Sequence, residues 1–375
     1  MDIGIPKEFN RHEYRVGLTP RAVSHLTERG HTVIVERGAG DAAFFEDQRY
    51  EAAGAMIVYH PEEVYKRAKV VCKVGSILTE NLDLFKKGSI ICAFQHLAVY
   101  QKEKIQRLME MEATVIGYEL IRDEKDHMPV LIPFSEMAGQ MAVHLAANYL
   151  QTDEGGRGIL MGNVPGVPPP TVLILGGGTV GRAAARVAYQ NGAHVVVLDI
   201  DMKRLREISH TFNGQVVTAL STSDNLRYFT QIADVLIGAV LVPGERPSKI
   251  ITENMVMKMR KGSVIIDLAI DQGGCTETSR PTSIDNPTYI VHDVVHHCVP
   301  NLTSNLARTA SRALSDAALP FVSKLAELGL REAYCSDPGI GAGTYLYQGK
   351  MVNEPTGEVF GIPSVSLEDC LEEGA

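Results

Sequence analysis

The chain has 375 residues, 45% of them hydrophobic and 22% charged, with a formal net charge of −9. That length suits two domains better than one core, and that hydrophobic content belongs to a folded globular protein, not a disordered one. A negative balance with no basic run excludes the stripe that nucleic-acid binding needs, and no apolar run reaches the about 18–20 residues that span a bilayer.

From the N-terminus, strands and helices are predicted to alternate. The first seven residues lack the charged and apolar regions of a signal peptide and offer a short strand at 3–5 instead. A helix opens at Thr19-Pro20, with Thr19 as N-cap and Pro20 at the first helical position, and Gly30 closes it. Strands follow at 32–36, 56–59, 70–74, 89–94 and 114–117, with helical stretches near 61–68 and 99–111. This alternation predicts a parallel sheet with helices on both faces.

Met137, Met141 and Leu145 recur at helical spacing, so residues 135–150 read as one helix. A Gly/Pro-rich loop, 155–170, comes next. A second α/β alternation runs from 171 to 293, and a helical segment, 302–328, is stopped by Gly329. The tail beyond is too short for a domain and is expected to pack back onto the first one. The fold class is therefore α/β, with two Rossmann-like doubly wound domains. A discontinuous substrate domain takes residues 1–134 plus 304–375, a dinucleotide-binding domain takes 135–303, and the helices 135–150 and 302–328 make the two crossings. Six cysteines are scattered without a CxxC pair. They read as reduced thiols, which places the protein in the cytoplasm.

The strongest local signal lies at 171–200. An apolar strand feeds Gly176-Gly177-Gly178-Thr179-Val180-Gly181, an Ala-rich helix follows, and the next strand ends at Asp199. In a dinucleotide fold Gly176 makes the tight turn, Gly178 lets backbone approach a pyrophosphate, and Gly181 lets helix and strand pack closely. The helix N-terminus supplies free N–H groups to the phosphates. Asp199 is placed to bond ribose hydroxyls and repel a 2′-phosphate, which favours NAD over NADP. Arg204, close by in sequence, works slightly the other way.

Four polar residues stand in apolar contexts. Arg15, just before the first helix, could clamp a carboxylate or form a surface ion pair. His96, after the strand at 89–94, stands where α/β sheets bind ligands, or is a core histidine. Asp271 ends the apolar run 264–270, as a site residue or a loop cap. Lys73 lies inside an apolar strand, where an unpaired ammonium is costly.

Taken together, these segments resemble the alanine dehydrogenase family, which shares its fold with the NAD(H)-binding component of proton-translocating transhydrogenase. The strings that carry the resemblance include Ile3-Gly4-Ile5-Pro6-Lys7-Glu8, Glu13-Tyr14-Arg15-Val16, Phe94-Gln95-His96-Leu97, Val164-Pro165-Gly166-Val167 and Asp267-Leu268-Ala269-Ile270-Asp271-Gln272-Gly273-Gly274. The resemblance implies an NAD-dependent L-amino-acid dehydrogenase, reversibly deaminating L-alanine or a related small amino acid to a 2-oxo acid and ammonium, and a homohexamer. It implies that Arg15 holds the substrate carboxylate, His96 is the acid/base and Asp271 assists the ammonia step. Asn301 would contact substrate or nicotinamide. Ser135, Thr179, Val180, Asp199, Arg204, Ser221, Val240 and Leu241 would line the cofactor along with the glycines.

One departure matters. The family pattern after the fourth strand is K-V-K-E-P, its second lysine contacting the substrate. Here the string is Lys73-Val74-Gly75-Ser76-Ile77, so a glycine replaces that lysine. Lys73 shares the strand face two residues earlier and is the substitute cation to expect. Gly75 also opens volume for a bulkier substrate. That keeps an opine- or saccharopine-like reductase, joining a 2-oxo acid to a larger amine, as the alternative. A transhydrogenase-like NAD(H)-binding subunit and a non-catalytic NAD-binding protein complete the alternatives. His292 and His296 could share a helical face with Cys298 nearby, but the family uses no catalytic metal and none is expected here.

Overall fold

Strands buried on both faces read as continuous apolar, β-branched runs, and such runs set the order of both sheets. In the computed structural model, which describes residues 1–240 and 249–373, β1 is Asp2–Ile5, β2 Thr32–Glu36, β3 Met56–Val58, β4 Val70–Cys72, β5 Ile90–Ala93 and β6 Thr114–Gly117. They pair in parallel in the order β6-β5-β4-β1-β2-β3. The second sheet holds β7 (Thr171–Leu175), β8 (His194–Asp199), β9 (Val217–Leu220), β10 (Val235–Gly238) and β11 (Val264–Asp267), then β12 (Thr288–Val291) and β13 (Val294–His297). Its order is β12-β13-β11-β10-β7-β8-β9. Each sheet thus reverses its order once, between β1 and β4 and between β7 and β10, as doubly wound sheets do.

The tail supplies β14 (Thr344–Tyr347) and β15 (Lys350–Met351). β14 pairs antiparallel with β6, so the tail extends the first sheet at its edge. The chain divides into two compact units, Met1–Phe134 with Ser304–Ala375, and Ser135–Thr303.

Local capping follows residue chemistry. Thr19 is the N-cap of the helix Pro20–Glu28, with Pro20 in its first turn. The Thr19 hydroxyl, however, bonds the Ser315 hydroxyl at 3.0 Å instead of the helix, because that serine already takes the Thr19 N–H. Gly329 ends the helix Ala307–Leu328. In the second unit the helix Ile132–Tyr149 lies so close to the helix Thr179–Gln190 that a Cβ on Gly139 would stand 2.2 Å from the Val180 carbonyl oxygen.

Two sequence expectations are corrected. The stretch from His292 to Cys298 is not helical: β12 and β13 form an antiparallel hairpin with Val291 opposite Val294. His292 and Asp293 turn it at positive φ, 53° and 61°, the geometry of a two-residue hairpin loop. His292 sits in the turn and so shares no helical face with His296, and among the described residues no three His, Cys, Asp or Glu side chains cluster as metal ligands. The apolar run from Val264 also ends early. Asp267 stops β11 by accepting from the N–H groups of Ala269, Cys275 and Thr276 at 3.1, 3.0 and 3.3 Å, so Asp271 belongs to the 3₁₀ turn Leu268–Gln272 that follows.

Gly139→Ala tests the helix contact. Alanine gains about 1 kcal/mol of helix propensity, but overpacking against a backbone carbonyl costs about 1–3 kcal/mol. The expected outcome is net destabilisation, read as a lower urea midpoint at unchanged slope; a higher midpoint would show that the two helices separate at little cost.

Candidate active site

Ligands of doubly wound sheets bind beyond the strand C-termini, at the point where the order reverses. In the first unit that point lies above β1 and β4. The loop after β1 carries Arg15, and helix Ala307–Leu328 pins it: Val16 N–H donates to Ser311 Oγ at 2.9 Å, and Thr19 N–H to Ser315 Oγ at 3.0 Å. The Arg15 guanidinium meets Glu13 with two bonds, 2.6 Å from Nε and 2.5 Å from Nη2, and both side chains are nearly fully buried. Arg15 is therefore not a surface ion pair. It lies 5.5 Å over the Phe134 ring, which packs on Phe94 at 4.9 Å. Phe94 in turn stacks at 6.3 Å on His96. An aromatic wall thus joins Arg15 to His96.

His96 stands after β5 with φ 44° and ψ 45°, a left-handed conformation that costs a non-glycine residue about 1–3 kcal/mol unless its surroundings hold it. Glu119, after β6, holds it. Its carboxylate accepts from the N–H groups of His96 at 2.6 Å and Gln95 at 3.1 Å, and from the Tyr345 hydroxyl at 2.7 Å. Burial, and then the Glu119 charge, push the Tyr345 phenol far above its ordinary range, so it stays a donor. The His96 ring is 59% exposed, with Nδ1 4.0 Å from Glu119. It is not a core histidine.

Lys73 follows β4, and its ammonium is taken by Glu8 at 2.8 Å, both side chains 3% exposed. Glu8 also accepts from Val74 N–H at 2.7 Å. Lys73, expected from the sequence as a substrate-binding cation, is thus held in a buried pair, as Arg15 is with Glu13. At Gly75 a Cβ would meet only Glu8 Oε2 at 3.7 Å and Asn10 Nδ2 at 3.9 Å, so the position is open toward polar tips.

In the second unit the reversal point lies above β7 and β10. Gly176 turns there at φ +100°, where a Cβ would stand 2.5 Å from the Ala239 carbonyl oxygen, and a Cβ on Gly181 would collide with Gly176. Nothing lies within 4 Å of the Cβ direction of Gly178. That open backbone leads into the N-terminus of the 12-residue helix Thr179–Gln190, where the Thr179 and Val180 N–H groups begin. Residues and space together fit a dinucleotide pyrophosphate. Asp199 closes β8 and is buried; its carboxylate accepts from Gly177 N–H at 2.6 Å and Asp201 N–H at 2.7 Å. Arg204 faces both acids, 3.6 Å from Asp199 and 3.7 Å from Asp201. Ser221 N–H donates to the Asp199 carbonyl at 3.0 Å, and Val240 follows β10 beside Gly176. Ser135 lies in the first turn of helix Ile132–Tyr149; Leu241 falls outside the described residues. Asp271 and Asn301 come together, the Asn301 N–H donating to the Asp271 carboxylate at 3.0 Å.

Sequence reasoning missed Glu8, Glu13, Glu119 and Tyr345. Glu119 follows β6 as His96 follows β5, so the strand-end rule that singled out the histidine reaches it too. Tyr345 arrives from the tail, and no local signal marks it.

A glycine-turned helix N-terminus on one doubly wound sheet, and an Arg–His wall on another, define a nicotinamide-nucleotide dehydrogenase of two α/β units. "Alanine dehydrogenase/PNT, N-terminal domain" matches residues 4–138, and "Alanine dehydrogenase/PNT, C-terminal domain" matches 142–354. An alanine dehydrogenase of Staphylococcus haemolyticus is 42% identical over 375 residues, covering all of both chains. A solved L-alanine dehydrogenase superposes with a TM-score of 0.92 at 42% identity, over 96% of this chain and 99% of that one. A transhydrogenase from Sinorhizobium meliloti shares the fold, with a TM-score of 0.78 at 24% identity over 94% and 99% of the two chains. The chain belongs to the alanine dehydrogenase/PNT family.

The bonds to Glu119 give a graded prediction. Tyr345→Phe removes one donor and should cost about 1 kcal/mol. Glu119→Ala strands two buried N–H groups and a hydroxyl, and should cost about 1–3 kcal/mol for each group left unpaired. Chemical denaturation of both variants measures this; equal losses would show that the carboxylate does not anchor the His96 backbone.

Proposed function

We propose that the protein is an NAD-dependent L-alanine dehydrogenase, catalysing L-alanine + NAD⁺ + H₂O ⇌ pyruvate + NH₄⁺ + NADH + H⁺. The observation that carries this reading is the wall from Arg15 to His96 at the strand ends, in a chain that matches the family along its whole length. The Arg15 guanidinium binds the substrate carboxylate in two-pronged fashion. Glu13 and Phe134 hold its plane, so little ordering is left for the substrate to supply. His96, exposed at the end of the wall, takes the hydroxyl proton as the N-protonated carbinolamine expels ammonia and becomes the 2-oxo acid, passes that proton to the ammonia to give ammonium, and retraces these transfers in the reverse direction. Its backbone is fixed by Glu119, so the ring turns about side-chain bonds alone. Asp271, paired with Asn301, assists the ammonia step, and Asn301 contacts substrate or nicotinamide.

The nicotinamide, when bound, takes up or delivers the hydride of the α-carbon. Gly176, Gly178 and Gly181 with the N–H groups of Thr179 and Val180 hold the pyrophosphate. Ser135, Ser221 and Val240 line the rest. Asp199 bonds the ribose hydroxyls. Arg204 already faces the Asp199 and Asp201 carboxylates and has little charge left for a 2′-phosphate, which supports NAD over NADP. Five of the six free thiols are buried, and no helix among the described residues is long and apolar enough to cross a membrane; both suit a cytoplasmic enzyme. A homohexamer is the assembly the family resemblance implies.

The deciding experiment is NADH consumption with ammonium over a panel of 2-oxo acids, pyruvate first. Efficient pyruvate turnover is expected, and a protein that binds NADH but turns over no 2-oxo acid would overturn the reading. His96→Ala should cut turnover about 10²–10⁴-fold with NADH affinity unchanged; loss of NADH binding would make His96 structural. Asp199→Ala should weaken NAD binding and relax discrimination against NADP, and an unaltered cofactor preference would remove Asp199 from the ribose.

A further inference from the structure

A lysine that is 1% exposed is costly to keep charged, and Lys104 is such a residue. It stands on the helix Lys102–Glu110. Its ammonium donates to the Ser76 hydroxyl at 2.7 Å and lies 3.5 Å over the Tyr100 ring. Among the described residues it has no carboxylate in ion-pair reach. The Ser76 hydroxyl donates in turn to the Gln95 carboxamide oxygen at 2.9 Å. The Gln95 Nε2 group is buried with no hydrogen-bond partner among the described residues, and the next residue is His96. A series of bonds that starts on a full positive charge therefore ends on an amide beside His96, each bond polarising the next. Burial first, and then the Lys73 charge, lower the Lys104 pKa to about 8, which leaves it charged at neutral pH.

Other charges at the neighbouring strand ends are held in pairs. Glu8 faces Lys73, Glu13 faces Arg15, and Glu119 faces His96. Lys73 and Arg15 are thus each held by a carboxylate in a buried pair.

We propose that Lys104 is a positioning residue for the substrate, its ammonium acting through Ser76 and Gln95 to hold the anionic 2-oxo acid beside His96. The proposal rests on the 2-oxo-acid reading given above. It also explains how the chain tolerates Gly75: the cation comes from a helix, through the residue next to the glycine, instead of from the strand itself.

The test compares wild type with Lys104→Met, Ser76→Ala and the double variant Lys104→Met/Gly75→Lys. Position 75 has only ordinary contacts in its Cβ direction, so a lysine there restores a cation at the same wall. Lys104→Met should raise the pyruvate KM about tenfold or more, with a smaller change in kcat and an unchanged NADH dissociation constant by fluorescence. Ser76→Ala should move the same parameter by less, and Gly75→Lys should recover most of the loss. An unchanged pyruvate KM in folded, NADH-binding Lys104→Met would overturn the proposal. If Lys104→Met does not fold, Ser76→Ala decides alone, with an unchanged KM counting against the proposal. If wild type turns over no 2-oxo acid, the reaction itself is misassigned, and calorimetric binding of oxalate decides instead. Tighter binding to wild type than to Ser76→Ala and Lys104→Met keeps the anion site, and equal binding removes it.

Discussion

Where two neighbouring parallel strands send their chains to opposite faces of a sheet, no crossover fills the space above their C-terminal ends. That constraint acts twice in this chain, at β1/β4 and at β7/β10, and the candidate site residues collect around it. In the first unit it gathers Glu8, Arg15 and Lys73, and one and two strands along, His96 and Glu119. In the second it puts the Gly176 turn against Ala239 and Val240, with Asp199 one strand away. Neither group is contiguous in sequence. Each is a consequence of strand order.

The first unit manages its charges by pairing them before any ligand arrives. Arg15 with Glu13, and Lys73 with Glu8, are buried at 2.5 and 2.8 Å. Buried pairs of this kind contribute little net stability, since desolvation offsets most of the attraction, yet removing one partner is expensive. Their value here is geometric. Glu13 fixes the plane of a guanidinium that is to meet a planar carboxylate, and Glu119 holds His96 in a backbone conformation that the residue would not adopt alone.

Gly75 shows how a site can lose a charged side chain and keep its character. The strand position is open, Lys73 is held by Glu8, and a lysine from the helix after β5, with no carboxylate in ion-pair reach among the described residues, bonds the residue next to the gap. A substitution at one strand end is thereby read together with Ser76, Gln95 and Lys104, because a buried charge constrains every polar group in contact with it.

The sequence alone determined a good deal. The apolar runs at 32–36 and 114–117 and the glycine turn after residue 175 are local properties, since β-branched runs, a positive-φ glycine and a strand-to-helix switch need no distant partner to be recognised. Arg15 and His96 stood out because each is polar in an apolar setting near a strand or helix end. What failed, failed for tertiary reasons. The histidines at 292 and 296 share a helical spacing, but pairing with β11 and a two-residue turn made that segment a hairpin. Asp267 ended its strand early by bonding three N–H groups up to nine residues ahead. The commitment of Lys73 to Glu8, the grip of Glu119 and Tyr345 beneath His96, and the isolation of Lys104 join residues 65, 23, 226 and 28 positions apart. Separations of that size leave no periodicity and no motif, so only the folded chain, by bringing strand ends and a tail together, decided how these groups are matched.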